Sequence, residues 1–189
     1  MKNRSSMITL TVSALLCAVG IVIPMFSPLK IVLEPASFTL GSHVALFMAM
    51  FISVPVAVCV SLVTTVGFFL GGFPIVVVLR ALSQIVFVVI GSVYLQKKGE
   101  TLRRPVPCIV FGLAMAVIHA VMEVIVVTFF YTAGSNMSQL YYEQGYFLSV
   151  MVLVGFGTVV HSMVDYGIAL AVWKPVQKVA GYMPVNAKI

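Results

Sequence analysis

Long apolar runs, broken at intervals by Gly, Pro and clustered charges, dominate this chain of 189 residues. Runs of about 17–25 residues mark helices that cross a hydrocarbon core of ~30 Å. They fall here at 7–24, 37–53, 55–72, 75–95, 106–131 and 147–173. The division between the second and third rests on Pro55. Proline disfavours helical geometry in the residue before it, so Val54 is the expected turn. Left undivided, residues 36–72 would form one helix too long for an ordinary bilayer. The pattern predicts one all-α membrane domain, residues 1–189, of six transmembrane helices.

Composition agrees: 61% of residues are apolar, 8% are charged, and the mean hydropathy is +1.15. A soluble domain of this size needs far more charge to cover its surface. The formal charge of +6 is explained by topology, and no nucleic-acid partner is expected. With six spans and both termini inside, Lys2, Arg4, Lys97, Lys98, Arg103, Arg104, Lys174, Lys178 and Lys188 are cytoplasmic. Lys30 then lies outside and Arg80 within the membrane. Five spans would put the loop "QKKGETLRR" outside, against the positive-inside rule. The N-terminal stretch "MKNRSSMITLTVSALLCAVGIVIP" begins like a signal, but no A-x-A-type site follows it. It is expected to remain as the first helix of a multi-pass protein of the cell membrane. Cys17, Cys59 and Cys108 have no paired or metal-like spacing and read as core thiols.

Against this background Arg80, inside "FPIVVVLRALSQIVFVVIG", is costly: a charge within a bilayer loses a few kcal/mol or more. Arg80, Ser83 and Gln84 share one helical face, as do His119 with Glu123 and His161 with Asp165. At 1.5 Å per residue, Arg80 and Glu123 lie ~9 and ~12 Å from the outer boundary. His119 and His161 fall near the middle, and Asp165, ~27 Å in, near the cytoplasmic end of helix six. Three neighbouring helices with polar stripes imply a shared interior. Two readings stand: Glu123 neutralises Arg80 within a structural network, or the stripes frame a solute pocket. They are compatible, because an arginine held by one carboxylate can offer its remaining donors to another. Guanidinium stays charged when desolvated and presents parallel donors to a carboxylate. Phe129, Phe130, Tyr131, Tyr146 and Phe147 are available to stack on a ring or to form an interfacial belt.

Three segments face outward in this topology: "MFSPLKIVLEPAS", "GGFP" and "TAGSNMSQLYYEQGY". The first is long enough to be a lid or binding loop rather than a linker. His119, His161 and Glu123 make a poor metal set, so no metal is expected. There is no G-x-S-x-G and no G-x-x-x-x-G-K-[ST], which argues against an enzyme and against ATP binding by a P-loop. No cofactor is implied.

Helix one carries "SALLCAVG", in which Ala14 and Ala18 form a small-xxx-small surface suited to close helix approach or to packing within the chain. Six short helices, termini inside, a long outer loop after helix one and this Ala-x-x-x-Ala together resemble an S component. That is the vitamin-capturing membrane subunit of an energy-coupling factor (ECF) transporter. The stretches "IPMFSPLKIVLEPASFTLGSHVALF" and "GGFPIVVVLRALSQIVF" look most like the niacin-specific type. The resemblance implies that Ala14 and Ala18 contact a transmembrane coupling subunit, that two partner ATPases hydrolyse ATP, and that helices four to six wall an outward-facing pocket. Arg80, Ser83, Gln84, His119, Glu123 and His161 are then the expected substrate residues, with nicotinate as ligand. Pantothenate fits Arg80 nearly as well. A small proton-driven carrier using His119, Glu123 and His161 is the reading from another class, and an accessory subunit without a pocket is a third.

Overall fold

The computed structural model describes residues 2–33, 36–134, 137–179 and 186, with the backbone alone for 2–5, 31–33, 36–37 and 178–179. Ser135 and Asn136 of the third outer segment and Lys188 of the cytoplasmic charge set lie outside the described residues. Helix α1 (Lys2–Phe26) leads into a hairpin of β1 (Lys30–Leu33) and β2 (Ala36–Thr39). Helices α2 (Val44–Ile52), α3 (Val54–Leu70), α4 (Ile75–Ser83) and α5 (Ile85–Lys97) follow. A 3-10 turn at Thr101–Arg103 precedes α6 (Pro105–Ala133) and the short α7 (Gln139–Glu143). A π-helix (Phe147–Phe156) then runs into α8 (Gly157–Val179).

Four stretches are long and apolar enough to cross a membrane: Ser6–Phe26, Ile75–Lys97, Pro105–Ala133 and Phe147–Gln177. Helix α3 is apolar but shorter, at 17 residues. The expected second span, 37–53, is corrected: it opens as strand and turn, and its helix has nine residues. The antiparallel register pairs Lys30 with Thr39 and Leu33 with Ala36. Gly41 follows at φ +83°, a left-handed position that suits glycine and turns the chain into α2. The break before α3 falls at Ser53, extended at φ −169°, one residue ahead of the expected Val54. Ser53 Oγ accepts from Val56 N at 3.4 Å, and Pro55 sits in the first turn, where its missing N–H costs nothing. The expected fourth helix is also interrupted, at Gln84 between α4 and α5.

Every residue of α2 is buried. A helix that is apolar all round belongs in a core, and this one packs against α1, α3, α5 and α8. Phe47 meets the rings of Phe87 and Tyr166, and Phe51 meets Tyr166 and Trp173. Burial leaves the polar groups at both helix ends in need of partners. Asn186 closes the C-terminal end: its backbone N–H donates to Phe51 O and Ile52 O at 3.0 Å. Its side chain donates to Ser92 O at 3.2 Å, which ties α5 to the same end. Asp165 closes the N-terminal end, accepting from Gly41 N at 2.7 Å, His43 N at 2.9 Å and the His43 ring Nδ1 at 3.1 Å. A carboxylate there also meets the positive end of the helix dipole.

Asp165, expected near the cytoplasmic end of helix six, sits beside His43 at the N-terminal end of α2. Residues 147–156 of the same stretch form a π-helix.

Replacing Asp165 with Ala strands the Gly41 and His43 amides in a dry interior. The expected loss is about 3 kcal/mol or more, since bonds to a charged acceptor contribute ~1.5–3 kcal/mol each. Asp165→Asn, which keeps an acceptor oxygen, should cost less. Thermal unfolding in detergent reads the order wild type, Asn, Ala; equal midpoints would show that α2 is held some other way.

Candidate functional site

Arg80 stands on α4, one turn from Val77, next to Ala81 and within reach of Glu123 on α6. Its Nη2 donates to Glu123 Oε2 at 2.8 Å, and Thr158 Oγ1 on α8 donates to the same oxygen at 2.7 Å. Both ions are largely buried. Among the described residues, Arg80 Nε has no hydrogen-bond partner, and neither has the buried Thr64 Oγ1 of α3. Both residues line a polar cavity of about 80 Å³ bounded by the hairpin and by α3, α4, α6 and α8. Buried polar atoms are nearly always satisfied in folded proteins, so unpartnered polar atoms on two residues that line one cavity point to a polar ligand there.

The cavity gathers four of the six substrate residues expected from sequence: Arg80, Gln84, Glu123 and His161. Ser83 is not on its wall; the hydroxyl turns back to donate to Arg80 O at 2.7 Å. The face of α4 that looks inward is Val77, Arg80, Ala81 and Gln84 instead. His119 is fully buried behind the wall. Its Nδ1 shares a 2.8 Å hydrogen bond with Ser162 Oγ, its ring stacks on Phe87, and its Nε2 lies 3.4 Å from Glu123 Oε1, long for a hydrogen bond.

His43, Ser42 and Thr158 on the wall were missed from sequence, as were Phe38, Phe68 and Phe73. The His43 ring reaches Gln84 and Asp165, 41 and 122 positions away, as well as the adjacent Ser42 Oγ at 3.3 Å. The one available signal was a histidine beside a serine in an apolar stretch. Its Nδ1 faces the acceptor-only Asp165 carboxylate, which places the proton there and leaves Nε2 to accept from Gln84 Nε2 at 3.1 Å. His161 Nε2 reaches Ser42 Oγ at 3.0 Å. The aromatic rings on the wall come from the hairpin, α3 and the turn before α4. The rings of Phe129 and Phe147 are exposed, and Tyr131 packs on Tyr142 and Tyr146.

His43 Nδ1, His161 Nε2 and an Asp165 oxygen lie within 4.8 Å of one another, a donor set of the kind that holds zinc. It differs from the set weighed in the sequence, because His119 and Glu123 lie apart from it. The same atoms are already committed to the hydrogen bonds that seat α2. Ala14 and Ala18 are exposed on α1, while Ser13, Leu16, Cys17 and Gly20 are buried. Among the described residues, nothing covers the two alanines.

No protein-family model matches the chain, and no solved structure matches it. The chain is 36% identical over 178 residues to the niacin transporter NiaX of Lactococcus lactis subsp. cremoris, covering 93% of this chain and 78% of that protein. With four helices of membrane-crossing length and a likeness of this extent, the chain is a multi-pass membrane protein that belongs to the family of the niacin transporter NiaX.

Proposed function

We propose that the chain is the S component of an ECF importer for niacin, capturing nicotinate in the cavity between the hairpin and α3, α4, α6 and α8. The observation that carries this reading is the cavity wall itself, which is lined by a buried arginine and a threonine that each keep an unpartnered polar atom among the described residues. The nicotinate carboxylate takes the Arg80 Nε and Thr64 donors, the pyridine ring lies among Phe38, Phe68 and Phe73, and Gln84 and His161 address the ring nitrogen. The cavity, about 80 Å³ in the absence of ligand, is smaller than the ~150 Å³ in which an apolar cavity takes up benzene. A one-ring solute enters with a small outward movement of the wall, whereas the extended chain of pantothenate needs much more room. Size thus favours nicotinate.

In the proposed topology a single domain spans residues 1–189, with six crossings and both termini cytoplasmic. Nine of the eleven basic residues then lie inside, as the positive-inside rule asks. Helix α2, enclosed by protein, counts as a crossing that never meets lipid. Transport energy comes from two partner ATPases through a transmembrane coupling subunit, which docks on the exposed Ala14–Ala18 face. The proton-driven carrier remains a distinct alternative because the rings of His43, His119 and His161 touch in series. A carrier would move niacin into liposomes alone, whereas an S component requires ATP and its partners.

Arg80→Met should lower nicotinate affinity by about 30- to 1000-fold, the equivalent of ~2–4 kcal/mol, and Arg80→Lys should rescue little of it. Nicotinamide, which lacks the carboxylate charge, should bind wild type more weakly and lose less on mutation. Titration of both compounds into the purified protein measures this, with Arg80→Met/Glu123→Gln as the control for a stranded carboxylate. Full nicotinate affinity in that double variant would leave Arg80 a purely structural role.

Ala14→Leu and Ala18→Leu should leave binding by the isolated chain intact and reduce ATP-dependent uptake, because a bulky side chain blocks close helix approach. Normal uptake with both leucines present would remove the docking role from this face.

A further inference from the structure

We propose that Lys30 supplies the net charge that makes the cavity bind an anion, while Arg80 supplies only directed donors; this rests on the nicotinate reading above. The charges around the cavity lead there. Arg80 and Glu123 form a 2.8 Å ion pair and cancel. The Asp165 carboxylate is not on the wall; it lies behind His43 and accepts from the amides of Gly41 and His43 and from the His43 ring, neutral donors that leave its charge in place. Tyr141, packed near Arg80, adds no charge, since burial pushes its hydroxyl up to about 12. Lys30 remains. It lines the cavity, is exposed, and among the described residues has no carboxylate partner. An anion entering past Glu123 without Lys30 would meet no net positive charge.

The fold holds Lys30 in place. Lys30 pairs across the hairpin with Thr39, whose buried side chain is also on the cavity wall. Directly opposed residues carry their Cβ atoms about 5 Å apart, so the lysine stem starts at the wall. Leu40 N donates to Leu29 O at 2.9 Å, and Gly41 N is tied to Asp165, which fixes the hairpin end that carries Lys30. Beyond Lys30, Phe38 and His161 an apolar groove of about 710 Å³ adjoins the cavity. The lysine methylenes can lie along that surface while the ammonium stays in water at the mouth. A charge in that position acts within a Debye length of about 8–10 Å and is sensitive to salt.

The test is nicotinate and nicotinamide titration into the purified full chain at about 20 and 300 mM NaCl, ionic strengths that bracket the range where screening sets in. Wild type, Lys30→Arg and Lys30→Met are compared. Wild-type affinity for nicotinate should fall with salt, and that for nicotinamide should not. Lys30→Met should lose about 10-fold for nicotinate at low salt, show a flattened salt dependence and bind nicotinamide unchanged, and Lys30→Arg should behave as wild type. Nicotinate binding by Lys30→Met equal to wild type overturns the proposal, as does an equal loss for both compounds, which would indicate a role in shape. Should Lys30→Met fail to fold, wild type still decides: salt-independent nicotinate binding overturns the role of Lys30. A wild-type protein that binds neither compound overturns the niacin reading itself, a failure distinct from these.

Discussion

A nine-residue helix buried on every side cannot leave its end groups to water or lipid, and the rest of the structure is arranged to meet that need. Asp165 on α8 meets the N-terminal end of α2, and Asn186 meets the C-terminal end. The first of these contacts also builds the cavity. By holding Gly41 and His43, Asp165 fixes the end of the hairpin and orients the histidine ring on the wall. One carboxylate thereby links folding of the core to the geometry of the candidate site.

The second buried ion pair has a different logic. Arg80 and Glu123 are expensive to desolvate, and apolar replacements of similar volume are often neutral or stabilising at such positions. Stability alone gives little reason to keep them. Glu123 accepts from Arg80 and Thr158 through one oxygen, so α4, α6 and α8 converge on it, yet the guanidinium retains an unpartnered Nε among the described residues. The pair holds a donor in a fixed direction without leaving an isolated charge in the membrane. The same neutralisation means that attraction for an anion must come from another residue, outside the pair.

What the sequence made legible was local. Apolar runs placed α1, α3, α6 and the α4–α5 stretch within a few residues of their observed bounds, and Pro55 marked the α2–α3 division. Glu123 and Arg80 were matched by opposite charge and similar depth, and both lie within a few turns of the outer ends of their helices, where the count is short. The hairpin was hidden inside apolar text that suits a helix as well as a strand, and its register depends on the anchor at Asp165. The π-helix over Phe147–Phe156 left no periodic signature. His43 was invisible for the same reason that it matters: the ring contacts that seat it, with Gln84, His119, His161 and Asp165, come from distant parts of the chain. Ser83 shows the converse, since a shared helical face did not guarantee a shared direction once its hydroxyl bonded to its own backbone.

The central claim is that the cavity beside Arg80 is where this chain holds niacin. A structure of the protein determined with nicotinate present tests it most directly. The account predicts the pyridine ring between the hairpin and α4, with the carboxylate within hydrogen-bond distance of Arg80 and on the side of Lys30. Nicotinate bound in the apolar groove beside Phe156, or a cavity still empty under saturating ligand, would contradict it.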